Sequence, residues 1–158
     1  APCSSGIRRS CTGRDSRGHL WVGVSAAGVE LPSAHLIEYI PESGRIIDRG
    51  DVVVFWYPKD PSVSFIKRVI GMPDDTVELR NGMLYVNGAR TAETYVRPNF
   101  RDDESYPPIV VKKGYYYVLG DHRNSSNDSR NWGEVPEKYI YGKAVFRFWP
   151  LRKVGLIR

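Results

Sequence analysis

The dipeptide Asn81-Gly82 constrains the fold of this chain more than any other feature of its sequence. It separates two short runs in which apolar and polar residues alternate, "TVELR" at 76–80 and "MLYVN" at 83–87. Two residues of this kind between alternating runs are the strongest short-range signal for a β-hairpin with a type I′ turn. The sequence therefore predicts an antiparallel hairpin here.

Several other segments after Asp48 also carry strand signals. They are rich in β-branched and aromatic residues and are bounded by Gly, Pro or Asp, as strands usually are. These segments are "GDVVVFWY" at 50–57, "VSFIKRVI" at 63–70, "PIVVKKG" at 108–114, "YYYVLG" at 115–120 and "YIYGKAVFRFWP" at 139–150. Helix signals are few, so we predict a mainly β, antiparallel domain with few or no helices.

The chain changes character near residue 45. Residues 1–45 are rich in Gly, Ser and Arg and show little periodicity, which predicts an atypical N-terminal segment produced by a truncation or a frame shift. We assign 46–152 to the β domain and 153–158 to a C-terminal tail. Within the domain, the irregular polar segment 89–106 is predicted to be a surface excursion.

Composition and charge restrict the classes of partner. The net charge of +5 favours acidic partners, either nucleic acid or an anionic membrane surface. Cys3 and Cys11 match no common zinc spacing, and both a small disulfide loop and two free thiols remain open. The three histidines are scattered, so we expect neither a metal nor another cofactor. No apolar stretch reaches the length of a membrane span, so we expect no transmembrane helix in this chain.

Lys67 lies in the middle of a predicted strand, in "SFIKRVIG" at 64–71. Period-2 alternation places it on one face with Phe65 and Val69, and places Arg68 on the other face. The lysine could reach the edge of the sheet with its ammonium in water. Alternatively, burial lowers the pKa of its amine, and a neutral amine can act as a general base.

The segment "GDHRNSSNDSRNWG" at 120–133 follows a predicted strand and is dense in hydrogen-bonding side chains. A solvated loop with local turn bonds is one interpretation. A loop that orients a catalytic group is the other, with a local ion pair between Asp128 and Arg130.

Three segments together resemble the type I signal peptidases, serine proteases that remove signal peptides from exported preproteins. They are "RGDVVVF" at 49–55, "FIKRVIGMPDDTV" at 65–77 and "GDHRNSSNDSRNWGEVP" at 120–136. The resemblance covers 49–150 and implies a signal-peptidase-like β domain and an endopeptidase with a Ser/Lys dyad.

The resemblance also implies residue roles. Lys67 is expected to be the general base and Ser126 the serine that orients it. Asp128 and Arg130 match residues that hold the loop together, with Arg68 as a further member of that group. Gly120 and Asp121 match the start of the same motif.

Two positions depart from the family pattern. Family members carry a nucleophile in a Ser-Met-x-Pro motif ahead of the "RGD" segment, and this chain contains no Ser-Met. Without it we expect the chain to be inactive unless another serine attacks, and by spacing Ser25 is the candidate nucleophile. At Asp74 the family usually has Gly, and a turn that needs positive φ there is strained by about 1 kcal/mol with Asp.

The partners follow from the resemblance. We expect preprotein signal peptides with small residues before the cleavage site, contact with a membrane surface, no nucleic acid, and a monomer. The expected location is the bacterial cytoplasmic membrane, with the catalytic domain on its outer side. "FWY" at 55–57 and "FRFW" at 146–149 are candidates for lipid contact, although core packing is the favoured interpretation.

Two other functions remain alternatives. A basic β-barrel with exposed aromatic side chains could be a non-catalytic module that binds single-stranded nucleic acid or a peptide. A self-cleaving repressor shares the Ser/Lys dyad but lacks the long loop at 120–133. The match of three segments favours the peptidase.

Overall fold

The structure is a computed structural model that describes residues 11–14, 20–24, 33–39, 46–149 and 155–156, with side chains described for 46–145 and 155–156. Around the Asn81-Gly82 turn it contains strands β6 (Thr76–Arg80) and β7 (Met83–Val86), which pair antiparallel. Asn81 has φ 47° and Gly82 has φ 70°, as a type I′ turn requires. The predicted hairpin is confirmed.

A second hairpin of the same kind follows at once. Strand β8 (Ala89–Arg90) pairs with β7 across the two-residue turn Asn87-Gly88, whose φ angles are 53° and 78°. Strand β9 (Tyr106–Val110) pairs with the other side of β6. The order β8-β7-β6-β9 makes a small, fully antiparallel sheet.

The larger sheet is also antiparallel. Its strands are β1 (Cys11–Arg14), β2 (Leu20–Val24), β3 (Ser33–Tyr39), β4 (Val52–Tyr57), β5 (Asp60–Gly71), β10 (Tyr115–Leu119), β11 (Val135–Pro136), β12 (Ile140–Trp149) and β13 (Gly155–Leu156). Within the described residues their order is β1-β2-β3-β12-β4-β5-β10-β11, with β13 paired to β12.

Strands β1 to β3 lie within residues 1–45, the N-terminal segment that differs in composition from the rest of the chain. Strand β3 pairs with β12 from Tyr39 opposite Gly142 to Ala34 opposite Trp149, so this part of the segment joins the sheet that carries β5.

Strand β5 divides two hydrophobic cores because its side chains alternate between the faces of the sheet. One core contains Val53, Phe55, Val69, Val118 and Ile140. The other contains Ile70, Val77, Leu79, Tyr117 and Leu119. The central strands are therefore covered on both faces, and the side chains in the middle of β5 are buried or half-buried.

Helical structure in the described residues is limited to short pieces. They are the one-turn helix α1 (Ser129–Trp132) and the 3₁₀ turns Pro98–Phe100, Arg123–Ser125 and Glu137–Tyr139. The predicted fold class, mainly β and antiparallel with few helices, is confirmed.

The excursion between β8 and β9 is more than a solvated loop. Most of it is exposed and irregular, as predicted, but Glu93 and Val96 are 5% and 3% exposed. The sequence gives no periodicity that would mark two single residues as buried, so this inward turn was missed.

Candidate active site

Lys67 lies in the middle of β5, directly opposite Val53 of β4. Val53, and Val69 two positions along β5, are fully buried members of one core, and Phe65 packs against it. The lysine amine lies 5.6 Å from the centroid of the Phe65 ring. The strand therefore places the amine among apolar side chains, as its alternation predicts.

Burial lowers the pKa of the Lys67 amine, because the charged form loses its hydration. The charge of Arg130 lowers this pKa further, while Asp128 and Asp121 act in the opposite direction. No ion pair within the described part of the chain includes Lys67. An amine in this setting is neutral at a lower pH than an exposed lysine.

The segment 120–133 is folded around the carboxylate of Asp128. This residue caps α1 with a capping box, accepting from the Arg130 amide at 3.2 Å while its own amide donates to Asn131. Its Oδ2 also accepts from the backbone N–H of Gly120 at 3.0 Å. One buried carboxylate thus holds both ends of the segment.

Arg130 completes this arrangement. Its Nε donates to Asp128 Oδ1 at 2.9 Å and its Nη2 to Asp128 Oδ2 at 3.0 Å. Burial alone would raise the pKa of Asp128, but the hydrogen bonds from Arg130 and Gly120 outweigh it and hold the pKa below its ordinary value. The carboxylate is therefore charged and fixed at neutral pH.

Gly120 borders both Ser126 and Lys67. A Cβ atom at position 120 would lie 2.1 Å from Ser126 Oγ and 3.5 Å from Lys67 Nζ. Only a residue without a side chain leaves that space free. Ser126 Oγ is buried, and its hydroxyl helps to lower the pKa of the neighbouring Asp128 carboxylate. The structure thus brings Lys67, Ser126 and Gly120 together around one small space.

Arg68 points to the opposite face of β5 and binds the start of the same segment. Its Nε donates to Asp121 Oδ1 at 2.9 Å, its Nη2 to Asp121 Oδ2 at 2.8 Å, and its Nη1 to the Gly50 carbonyl at 2.7 Å. The sequence groups Arg68 with Asp128 and Arg130, and the structure gives it Asp121 as a separate carboxylate partner. The segment is therefore fixed from both faces of β5.

Two acidic residues of the excursion between β8 and β9 also reach the segment, and the sequence indicated neither. Asp102 Oδ2 accepts from Arg130 Nη1 at 2.6 Å. Glu93 pairs with Arg123, and both side chains are 2% exposed.

Ser25, the candidate nucleophile, lies outside the described residues. Within the described residues, no helix is both long and apolar enough to cross a bilayer.

Comparisons with known proteins assign the chain to a family of peptidases. A family model described as "Signal peptidase, peptidase S26" matches residues 28–149. The chain belongs to this family, which confirms the resemblance seen in its three sequence segments.

Individual relatives support the same assignment. Probable signal peptidase I-2 from Synechocystis sp. is 41% identical over 129 residues, which are 77% of this chain and 57% of that protein. Thylakoidal processing peptidase 1, chloroplastic, from Arabidopsis thaliana is 47% identical over 117 residues, 72% of this chain and 34% of that protein. The chain therefore spans little more than half of its bacterial relative, and less of its plant one.

A solved structure supports the fold. The crystal structure of a signal peptidase I from Enterococcus faecalis V583 aligns with a TM-score of 0.57 at 30% identity. The alignment covers 64% of this chain and 98% of that chain. None of these matches supports a non-catalytic nucleic-acid-binding module.

Proposed function

We propose that this chain is the catalytic region of an endopeptidase that removes signal peptides from exported preproteins. The observation that carries the proposal is the setting of Lys67. Its side chain is half-buried among apolar residues, its amine has a lowered pKa and borders the same space as Ser126, and it makes no ion pair within the described residues. A neutral amine of this kind is what a Ser/Lys dyad needs as its base.

The proposed reaction is acyl transfer followed by hydrolysis. Neutral Lys67 takes the proton of a serine hydroxyl while the serine oxygen attacks the scissile carbonyl carbon. The resulting ammonium then gives its proton to the leaving amine as the peptide bond breaks. Water, deprotonated by Lys67, releases the acyl group and restores the serine.

The segment 120–133 has a positioning role in this proposal. In the proposed mechanism the Ser126 hydroxyl accepts a hydrogen bond from the Lys67 ammonium when it forms. Asp128 and Arg130 hold the segment that carries Ser126, and Arg68 with Asp121 fixes its beginning. Gly120 keeps the space between Ser126 and Lys67 open.

No motif identifies the attacking serine, because Ser-Met-x-Pro does not occur in this chain. Ser25 is the candidate within the sequence. In this proposal a serine hydroxyl beside Lys67 completes the dyad.

The proposed substrate is a preprotein with small residues before the cleavage site, processed by a monomer at the membrane face to which preproteins are exported. Two features suit a membrane surface. The net charge is +5, and Trp56 on β4 is 40% exposed. Phe55 beside it is fully buried, so the aromatic run serves the core with one residue and the surface with the next.

The test is cleavage of a detergent-solubilised preprotein that carries an Ala-x-Ala site. Four chains are compared: the unchanged chain, Lys67→Met, Ser25→Ala, and Lys59→Met, which removes an exposed lysine from the turn before β5. We expect cleavage after Ala-x-Ala that Lys67→Met abolishes and Lys59→Met leaves intact. Cleavage that survives Lys67→Met would overturn the proposal, and loss in Ser25→Ala would identify the nucleophile.

A further inference from the structure

Arg123 and Glu93 form an ion pair in which both side chains are buried. Arg123 Nη1 donates to Glu93 Oε2 at 3.2 Å, and its Nη2 donates to Glu93 Oε1. Each side chain is only 2% exposed. Glu93 lies in the excursion between β8 and β9, and Arg123 lies in the segment that carries Ser126. The pair thus joins the small sheet to the candidate active site.

The third donor of Arg123 reaches the site directly. Its Nε donates to the carbonyl oxygen of Gly120 at 3.1 Å. The N–H of Gly120 donates to Asp128, so both backbone polar groups of Gly120 are bound. Arg123 can hold that carbonyl only while its guanidinium keeps one orientation, and Glu93 fixes the orientation by binding the other two nitrogens.

Gly120 is the point at which this contact becomes relevant to catalysis. The space that a Cβ at position 120 would fill borders Ser126 Oγ and Lys67 Nζ, at 2.1 and 3.5 Å. A shift of the Gly120 backbone by a few tenths of an ångström therefore changes the gap between the hydroxyl and the amine. A wider gap also admits water to the amine.

A second route runs from Glu93 through Tyr95 to the same segment. The Tyr95 hydroxyl donates to Glu93 Oε1 at 3.2 Å, and the Arg68 guanidinium lies 4.2 Å from the Tyr95 ring centroid. Arg68 in turn holds Asp121. One buried carboxylate therefore supports Gly120 and Asp121, the first two residues of the segment, from two directions.

We propose that Glu93 is a positioning residue for the Lys67 base, acting through Arg123 and Gly120. The proposal rests on the function proposed above, because it assigns Glu93 to the same dyad. It differs from a purely structural role for Glu93, which would change the unfolding midpoint and leave the properties of the folded site unchanged.

The test uses Glu93→Gln in the full chain, which keeps the size of the side chain and removes its charge. The first readout is the titration of the Lys67 amine, followed by NMR of lysine labelled at Cε and assigned with Lys67→Met. Among the described residues, the charged groups that shift the pKa of this amine are Asp121, Asp128 and Arg130, which the variant retains. The second readout is the steady-state cleavage of the Ala-x-Ala preprotein.

We expect the titration midpoint of Lys67 to rise by about one pH unit in Glu93→Gln, as water reaches the amine. We also expect kcat to fall by about 10- to 100-fold with little change in KM, as positioning defects do. The lost negative charge alone would lower the midpoint, so the direction separates repositioning from a long-range charge effect. An unchanged or lowered midpoint in a folded Glu93→Gln chain would overturn the proposal.

Two further variants keep the test decisive if Glu93→Gln unfolds. Arg123→Lys retains the positive charge but cannot bind Glu93 and the Gly120 carbonyl at once, and we expect the same rise in the Lys67 midpoint. Glu93→Asp keeps the carboxylate charge that Glu93→Gln removes, so its Lys67 titration midpoint should lie close to that of the unchanged chain.

Glu78→Gln, which removes the partner of Arg80 in an exposed ion pair, is the matched control and should change neither readout. The Lys67 titration needs no turnover, so a chain that fails to cleave refutes the proposed function and still tests this inference.

Discussion

Arg68 and Asp121 form a two-bonded ion pair in which the arginine is buried and the carboxylate is partly open to water. The exposed fractions of the two side chains are 4% and 37%. Arg68 follows Lys67 on β5, and alternation sends it to the opposite face. Consecutive basic residues therefore have opposite environments, with Arg68 bound to a carboxylate and Lys67 placed without an ion-pair partner among the described residues.

Removing the carboxylate of this pair should destabilise the fold. In Asp121→Asn one acceptor oxygen remains, but the buried charge of Arg68 loses its counter-ion, so we expect the free energy of unfolding to fall by about 1–3 kcal/mol. Denaturant unfolding of the unchanged chain and the variant measures this difference. Glu78→Gln on the exposed face of β6 is the control and should leave the midpoint unchanged. Equal effects of the two variants would contradict the account.

Adding one methyl group at position 120 should damage the site. The Cβ of Gly120→Ala would lie 2.1 Å from Ser126 Oγ, so Ser126 or the backbone has to move. We expect a loss of stability of about 1–3 kcal/mol from overpacking, and a loss of preprotein cleavage. In the control Gly155→Ala the added Cβ meets no atom of the described residues within 4 Å, so neither property should change. Normal cleavage by Gly120→Ala would show that the gap is not needed.

Asp74→Gly should stabilise the protein. Met72, Pro73, Asp74 and Asp75 form a turn closed by the hydrogen bond from the Asp75 amide to the Met72 carbonyl, and Asp74 has φ 70°. This third turn position favours glycine, so relief of the strain should add about 0.5–1 kcal/mol to the free energy of unfolding. Thermal unfolding measures it. Asp103→Gly, at an exposed position without positive φ, should instead lower stability.

The lowered pKa of Lys67 predicts a specific pH dependence of stability. The unfolded chain has a lysine pKa near 10.4, so between the lowered folded value and about 10.4 the unfolded state binds more protons and stability rises with pH. At lower pH the full penalty of a buried ammonium is present. Lys67→Met should therefore raise the unfolding midpoint most at acidic and neutral pH. The difference in stability between the variant and the unchanged chain should vanish above about pH 10.4.

Unfolding curves across this pH range measure the difference between the two chains. Lys59→Met, which removes a lysine from an exposed position, is the control for the loss of one positive charge. A pH-independent effect of Lys67→Met would mean that Lys67 has an ordinary pKa in the folded protein.

The features that the sequence predicts well are those that depend on local chemistry. The Asn81-Gly82 hairpin follows from turn geometry alone, and the face occupied by Lys67 follows from alternation along one strand. The Asn87-Gly88 hairpin carries the same local signal, but its second strand is only two residues long, too short to show alternation.

The features that were missed depend on contacts between distant segments. Glu93 and Asp102 lie in an irregular stretch without periodicity, so their burial and their arginine partners cannot be inferred from neighbouring residues. The partner of Arg68 is likewise 53 residues away in sequence. Such pairings are set by the way in which two sheets and a long segment pack, which no local pattern encodes.

The most direct test of the account is the titration of the Lys67 amine in the folded chain. With lysine labelled at Cε, NMR follows this titration directly. We predict that Lys67 loses its proton at a clearly lower pH than the value of about 10.4 for an unperturbed lysine, and that its signal disappears in Lys67→Met. If Lys67 titrated together with the exposed lysines, it would be a charged residue at working pH, and its assignment as the base of a Ser/Lys peptidase would be wrong.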